Sequence, residues 1–232
     1  MPLLPAYAAL LALGVIWGSN FIFMKWATAL VSPAQTEFLR VLFGFLPLAF
    51  MAWRAGVIHR AQLRHLPHFA VMSVLATSFY YYGFVAGTAL LSTSVAGLLS
   101  GSIPIFTFLC AFLFLRDERP TLRMVMGVTL GFVGIAMSAR PWEGAGHVPL
   151  AGVFWMLAGT FSLGSSFVYA RRFLSPLGLS PLALATWQTG LAVLTLAVLT
   201  PFDGMGAILT DARALLGASV GLGVLGTGGA FL

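Results

Sequence analysis

The chain has 232 residues, 59% of them hydrophobic and only 8% charged, with a mean hydropathy of +0.98. A soluble domain carries about 25% charged residues, so this chain cannot cover a water-facing surface and reads as a multi-span membrane protein. The formal net charge of +6 lies on basic residues between apolar runs, which is how membrane proteins fix their orientation, not a nucleic-acid footprint.

The first stretch, from Pro5 to Met24, carries no charge. Its roughly twenty residues make about 30 Å of helix, the thickness of a bilayer's hydrocarbon core. Trp17-Gly-Ser-Asn-Phe21 forms a small, polar interruption inside it. Ala27-Thr-Ala29 has the shape of a signal cleavage site, but Lys25 follows the apolar run instead of preceding it, the wrong order for a signal peptide. Further apolar stretches follow at about 36–53, 68–90, 92–115, 121–139, 149–170, 181–200 and 213–232. Residues 69–115 hold no charge and are too many for one span, and Ser92-Thr93 offers a helix N-cap at which to divide them. No alternating barrel pattern is present, so the spans are helical.

Orientation follows from the basic residues. Arg54, Arg60, Arg64, Arg116, Arg119, Arg123, Arg171 and Arg172 fall on one side of the membrane. Lys25, Arg40, Arg140 and Arg213 fall on the other. The richer side is cytoplasmic, which puts the N-terminus in the cytoplasm. Glycines at membrane depth suggest close helix approach: Gly127, Gly131 and Gly134 in the fifth stretch, Gly217, Gly221, Gly226 and Gly228 in the eighth. Gly56 reads as a helix stop. Cys110, the lone cysteine, lies in an apolar run and implies no disulfide.

The chain also repeats itself. Gly18-Ser-Asn-Phe21 lies over Gly164-Ser-Ser-Phe167, Ser32-Pro33 over Ser180-Pro181, and Leu75-Ala-Thr77 over Leu225-Gly-Thr227, with an offset that drifts by only a few residues. At the offset of the Ser-Pro match Arg40 falls on Gln188. Five spans per copy is an odd number, so the second copy crosses the membrane inverted. The loop after the second stretch is accordingly basic, while its counterpart carries Asp203, Asp211 and Arg213. Inverted repeats are the architecture of secondary transporters, with the solute site near the bilayer midplane.

These residues resemble the drug/metabolite transporter superfamily, in its EamA-like branch. The resemblance rests on Trp17-Gly-Ser-Asn-Phe21, Glu37-Phe-Leu-Arg40, the stretch 92–104 (STSVAGLLSGSIP) with Pro104, the stretch 114–121 (FLRDERPT) with Glu118, and 127–134 (GVTLGFVG). It implies an all-α polytopic membrane protein built as an inverted repeat of five-helix units, a ten-helix transporter fold of which about eight spans are present. Residues 5–140 would be the first repeat and 149–232 the second, incomplete at its C-terminus. The implied function is movement of small metabolites, with no particular substrate implied; the solute expected here is an amino acid or drug-like molecule, moved by alternating access with export as the direction. The implied location is the cell inner or plasma membrane.

The residues suggest where the solute binds. Trp17, Asn20 and Met24 share one helix face. A mid-membrane amide such as Asn20 needs a partner, either another helix or a solute. Phe79-Tyr-Tyr-Tyr82 sits mid-span, too deep for an interfacial belt. Ser100, Ser102 and Pro104 would break the fourth helix, as a gating kink or a satisfied distortion. Ser162, Ser165, Ser166 and Tyr169 occupy the second copy's counterpart of the first polar interruption. The expected solute cavity is lined by Trp17, Asn20, Tyr80, Tyr81, Ser100, Ser166 and Tyr169, with Pro104, Arg40 and Gln188 in gating or structural roles. Arg40 follows Glu37 by three residues. The pair reads as an ion pair snorkelling to the headgroups, or as an anion-recognition site at the outer mouth. His59, His65 and His68 read as solvated loop residues, not metal ligands.

No HExxH, GxSxG or P-loop pattern occurs, so no enzyme and no catalytic residue is expected. A non-transporting scaffold or a truncated, inactive transporter is the second reading, and a membrane-embedded enzyme the third. No cofactor or metal is expected. The expected partners are a small-molecule substrate and the lipid bilayer, with a homodimer left open and no nucleic acid. With Glu37 as the only carboxylate near a span, transport is expected to be facilitated or weakly coupled. The apolar run ending at Leu232 and the repeat alignment together suggest a longer protein of roughly 290 residues, without whose last helices the glycine face of the eighth stretch would lack a partner.

Overall fold

The computed structural model describes residues 3–115, 121–139 and 148–231. Among these residues there are helices and short connections but no strands. In chain order the helices are α1 (Leu3–Thr28), α2 (Pro33–Arg54), α3 (Arg60–Leu90), α4 (Thr93–Phe114), α5 (Leu122–Ala139), α6 (Leu150–Leu177), α7 (Pro181–Leu199) and α8 (Ala212–Gly228). They follow the eight apolar stretches of the sequence. Six of them (α1 from Leu10 onward, α2, α3, α4, α6 and α7) are long and apolar enough to cross a membrane, and α5 and α8 supply the shorter apolar helices Leu122–Gly131 and Ala212–Gly228. Arg116, Glu118, Arg119, Arg140 and Leu232, used in the sequence reading, lie outside the described residues.

Local chemistry sets the helix ends. Ser32 caps α2: its hydroxyl accepts from the Gln35 amide at 3.2 Å, and the Gln35 side chain accepts from the Ser32 amide at 3.0 Å. Pro33 takes the first helical position, where no amide hydrogen is needed. Gln35 Nε2 then donates to the carbonyls of Pro201 and Asp203, both at 2.8 Å, tying the start of α2 to the connection after α7. Gly56 (φ +61°) follows the end of α2, as its place in the sequence suggests. Ser92 caps α4, accepting from Val95 N at 3.3 Å. α4 breaks at Gly101–Ser102, where Ser102 Oγ donates to the Leu99 carbonyl at 2.7 Å and lies 3.0 Å from Thr160 Oγ1 of α6. α3 and α6 contain π-type turns at Val74–Ser78 and Ala170–Leu174, and most of α8 is of this wider kind, over Gly217–Gly228.

The helices sort into two compact units: Met1–His59 with Pro181–Leu232, and Arg60–Ser180. In the first, α8 packs on α1 and α2, and α7 packs on α2. Its core joins Ala27, Val31, Leu39, Ile208, Ala214 and Ala218. The glycine face of α8 does have partners, contrary to expectation. Gly217 and Gly221 meet Phe23 of α1, and Gly226 lies against the Asn20 side chain. On the other side, Gly223 meets Phe43 of α2 and Gly228 meets Pro47. The helix is small enough on two sides to sit between α1 and α2, which a one-face reading of its glycines cannot show.

In the second unit α6 packs on α3 and α4. Gly83 and Gly87 of α3 face Gly152 and Gly159 of α6, and backbone comes so near that a Cβ at Gly83 would lie 2.7 Å from the Trp155 carbonyl oxygen. Among the described residues the stripe Gly127, Gly131 and Gly134 of α5 makes no helix contact. A Cβ on any of the three would meet no atom within 4 Å among the described residues. Regular spacing puts residues on one face but does not say which face turns inward.

Candidate functional site

The second unit contains a cavity of about 360 Å³. One face of α6 supplies most of its wall: Phe161, Ser165, Val168, Tyr169 and Arg172, at the i, i+4, i+7 spacing of a single helical stripe. Phe173 adds a ring beside them, α4 contributes Cys110 and Phe114, and α3 contributes Leu75. The wall is therefore mostly aromatic and aliphatic, with a few polar groups gathered toward the end of α6.

Those polar groups are held in place. The Tyr169 hydroxyl and His68 Nδ1 lie 2.7 Å apart, and the His68 ring stacks on Phe173 at 5.7 Å. Arg172 Nη1 donates to the Phe114 carbonyl at 2.8 Å, and its guanidinium lies 5.5 Å from the centre of the Phe173 ring. Ser165 Oγ and Cys110 Sγ lie 3.3 Å apart. A pocket of this kind suits a solute with an apolar body and one end that accepts hydrogen bonds or carries negative charge.

His68 is not a solvated loop residue. It lies in the first α-turns of α3, half-buried and engaged with two rings, because the apolar run that begins at Phe69 carries it into the helix. His65 accepts from Arg64 Nε at 2.9 Å. Among the described residues no group of three or more His, Cys, Asp or Glu is placed to hold a metal.

Of the residues expected to line a cavity, Tyr169 lines this one. In the same unit, Tyr81 and Ser166 are buried, and Tyr80 and Ser100 are half-buried. Tyr80 packs its ring on Tyr81 and Phe84. The hydroxyls of Ser100 and Ser166 donate to the carbonyls of Gly97 (2.6 Å) and Leu163 (2.7 Å) in their own helices. Pro104 is exposed at the restart of α4. Trp17 and Asn20 belong to the other unit, where Trp17 is 55% exposed and Asn20 is 4% exposed, its side chain against Gly226. His68, Arg172 and Phe161 were missed. The stripe from Phe161 to Arg172 was readable as a helical periodicity, but the His68–Tyr169 pair joins residues far apart in sequence and left no local signal.

In the first unit the Glu37–Arg40 pair does not snorkel to the headgroups. Arg40 is 2% exposed and Glu37 fully buried. Arg40 Nε donates to Thr227 Oγ1 of α8 at 3.2 Å, and the Thr227 hydroxyl donates to the Leu222 carbonyl at 3.0 Å. Gly44 makes this possible, since a Cβ there would lie 2.6 Å from Thr227 Cβ. Gln188 of α7 is also buried.

Helices of this length and hydropathy define a multi-pass membrane protein. Residues 4–140 match the EamA-like transporter family, and the chain belongs to it. Similar curated proteins carry transporter names. An uncharacterized transporter of Archaeoglobus fulgidus is 24% identical over 91% of this chain and 72% of its own length. The uncharacterized inner membrane transporter YedA of Escherichia coli K12 is 28% identical over 83% of this chain and 61% of its own. The uncharacterized transporter YdfC of Bacillus subtilis is 25% identical over 85% and 62%. The chain thus spans less than two thirds of the YedA and YdfC chains. A crystal structure superposes with a TM-score of 0.61 at 18% identity, over 96% of this chain and 75% of that one, so the fold is shared.

Proposed function

We propose that this chain carries a small metabolite with an apolar body and a polar or anionic end, such as an amino acid or similar drug-like solute, across the cell inner membrane by alternating access. The observation that carries this is the aromatic-walled cavity of about 360 Å³ with the Tyr169–His68 pair and Arg172 at one end. Tyr80, Tyr81, Ser100 and Ser166 of the same unit are further solute contacts in this reading, and Trp17 and Asn20 are solute contacts of the other unit. Residues 5–140 and 149–232 are two inverted repeats, with the N-terminus in the cytoplasm. Arg172 then lies at the cytoplasmic end of α6, so the cavity loads from the cytoplasm and the direction is export.

The test is flux in proteoliposomes containing the full-length protein, with the twenty radiolabelled amino acids as the probe panel. Saturable movement of at least one, weakened by Trp17→Ala and Asn20→Ala in protein of normal abundance, is the expected result. No saturable movement of any would overturn the amino-acid assignment. Unchanged kinetics in both variants would remove those two residues from the site.

A further inference from the structure

Glu37 on α2 has none of its surface exposed, and neither of its carboxylate oxygens has a hydrogen-bond partner among the described residues. Water is excluded from it, and an ionised carboxylate in that state needs hydrogen bonds or a close counter-charge to offset its lost hydration. A proton removes the need for the counter-charge and most of the desolvation cost. The helices packed on α2 bring little charge to the site. α7 has no charged residue, α1 and α8 contribute Lys25 and Arg213, and the connection between α7 and α8, tied to the start of α2, contributes Asp203 and Asp211, all four exposed. Of the two arginines that share α2 with Glu37, Arg54 is exposed at its far end. Arg40 is buried one turn away, and its Nε donates to Thr227 of α8.

We propose that Glu37 is a proton-binding site that alternates between two partners, a proton and the Arg40 guanidinium, and so couples solute movement to a proton gradient. With the proton bound, Glu37 is neutral and Arg40 stays on Thr227. When the proton leaves, the carboxylate attracts the guanidinium across one helical turn, Arg40 leaves Thr227, and the contact between α2 and α8 changes. The proton goes to whichever side the opened contact admits, and a proton from the opposite side restores the first state. This rests on the transporter reading above and departs from the expectation of facilitated or weakly coupled transport.

Two measurements on the full-length protein in proteoliposomes test it. The first is infrared difference spectroscopy across steps of pH, which needs no solute. Wild type should show the carbonyl stretch of a protonated carboxyl at neutral pH, and Glu37→Gln should lack it. Thr227→Val frees Arg40 to approach Glu37, which favours the ionised form, so the band should vanish at a lower pH than in wild type. A band that is absent from wild type or survives in Glu37→Gln overturns the proton site. An unmoved band in Thr227→Val overturns the alternation with Arg40.

The second measurement uses whichever amino acid of the panel moves. At one proton per solute, one unit of pH gradient supports about tenfold accumulation. Glu37→Gln should abolish that accumulation while retaining solute exchange at equal pH. Accumulation retained in Glu37→Gln overturns the coupling. If wild type moves no amino acid, the amino-acid assignment fails and the coupling claim falls with it, whereas the spectroscopic result still decides whether Glu37 binds the proton.

Discussion

Tyr169 and His68 bring together residues from α6 and α3 that their own helices would leave among apolar neighbours. The hydroxyl is the one feature that separates this tyrosine from phenylalanine, so Tyr169→Phe isolates it. A hydrogen bond of this kind contributes about 0.5–1.5 kcal/mol net. If the hydroxyl orients the solute, its loss should raise KM roughly two- to tenfold with kcat nearly unchanged, which steady-state flux measures. An unchanged KM would leave Tyr169 as a structural partner of His68 alone. At this scale the sequence was partly legible. A tyrosine below a serine-rich turn marked Tyr169 as polar at membrane depth. Nothing local marked His68, and only the register of α6 against α3 pairs the two. The same limit applied to Arg40: its neighbour Glu37 was visible, but its acceptor Thr227 lies on a helix far along the chain.

Glycine decides how closely the helices approach, and it does so unequally. At Gly83 an added methyl would be driven into the Trp155 carbonyl and the Gly159 backbone, neither of which can rotate away. Gly83→Ala should therefore push α3 from α6 and destabilise the unit by about 1–3 kcal/mol, the usual cost of overpacking. At Gly127 the methyl enters open space. Gly127→Ala should be neutral, or stabilising by up to about 1 kcal/mol through helix propensity alone. Thermal unfolding of the two variants in detergent checks the pair, and equal effects would refute the packing argument. The helices themselves were legible because lipid demands contiguous apolar runs with every backbone group satisfied internally. Two of their ends were legible too, since Ser92 and Gly56 act on their immediate neighbours, whereas the Ser32 cap of α2 came only with the structure. Which glycine face turns inward was not, because α5 and α8 have similar spacing and opposite fates.

At the scale of the molecule, each compact unit takes helices from both sequence halves, so chain order and spatial grouping differ. Membrane orientation is a separate matter, and the basic residues predict it. Cys110 is the only cysteine and is buried, so a cysteine placed at exposed Arg60 or Asp203 reports without a competing thiol. Arg60→Cys should react with an impermeant maleimide only from the cytoplasmic side, and Asp203→Cys only from outside. Swapped labelling would reverse the orientation, and labelling from one side for both would remove the inversion.

The link from the Gln35 side chain to Pro201 and Asp203 has a practical corollary for anyone grafting a reporter into this protein. The connection between α7 and α8 looks like a spare surface loop, but it is stitched to the first turn of α2 by two hydrogen bonds, and a fluorescent insert there would pull on the α2 cap. The turn at Gly56 closes the other end of α2: its amide donates to the Trp53 carbonyl at 3.1 Å, the Val57 amide donates to the Ala52 carbonyl at 3.2 Å, and a φ of +61° favours glycine, so a graft at that end has to leave Gly56 itself in place.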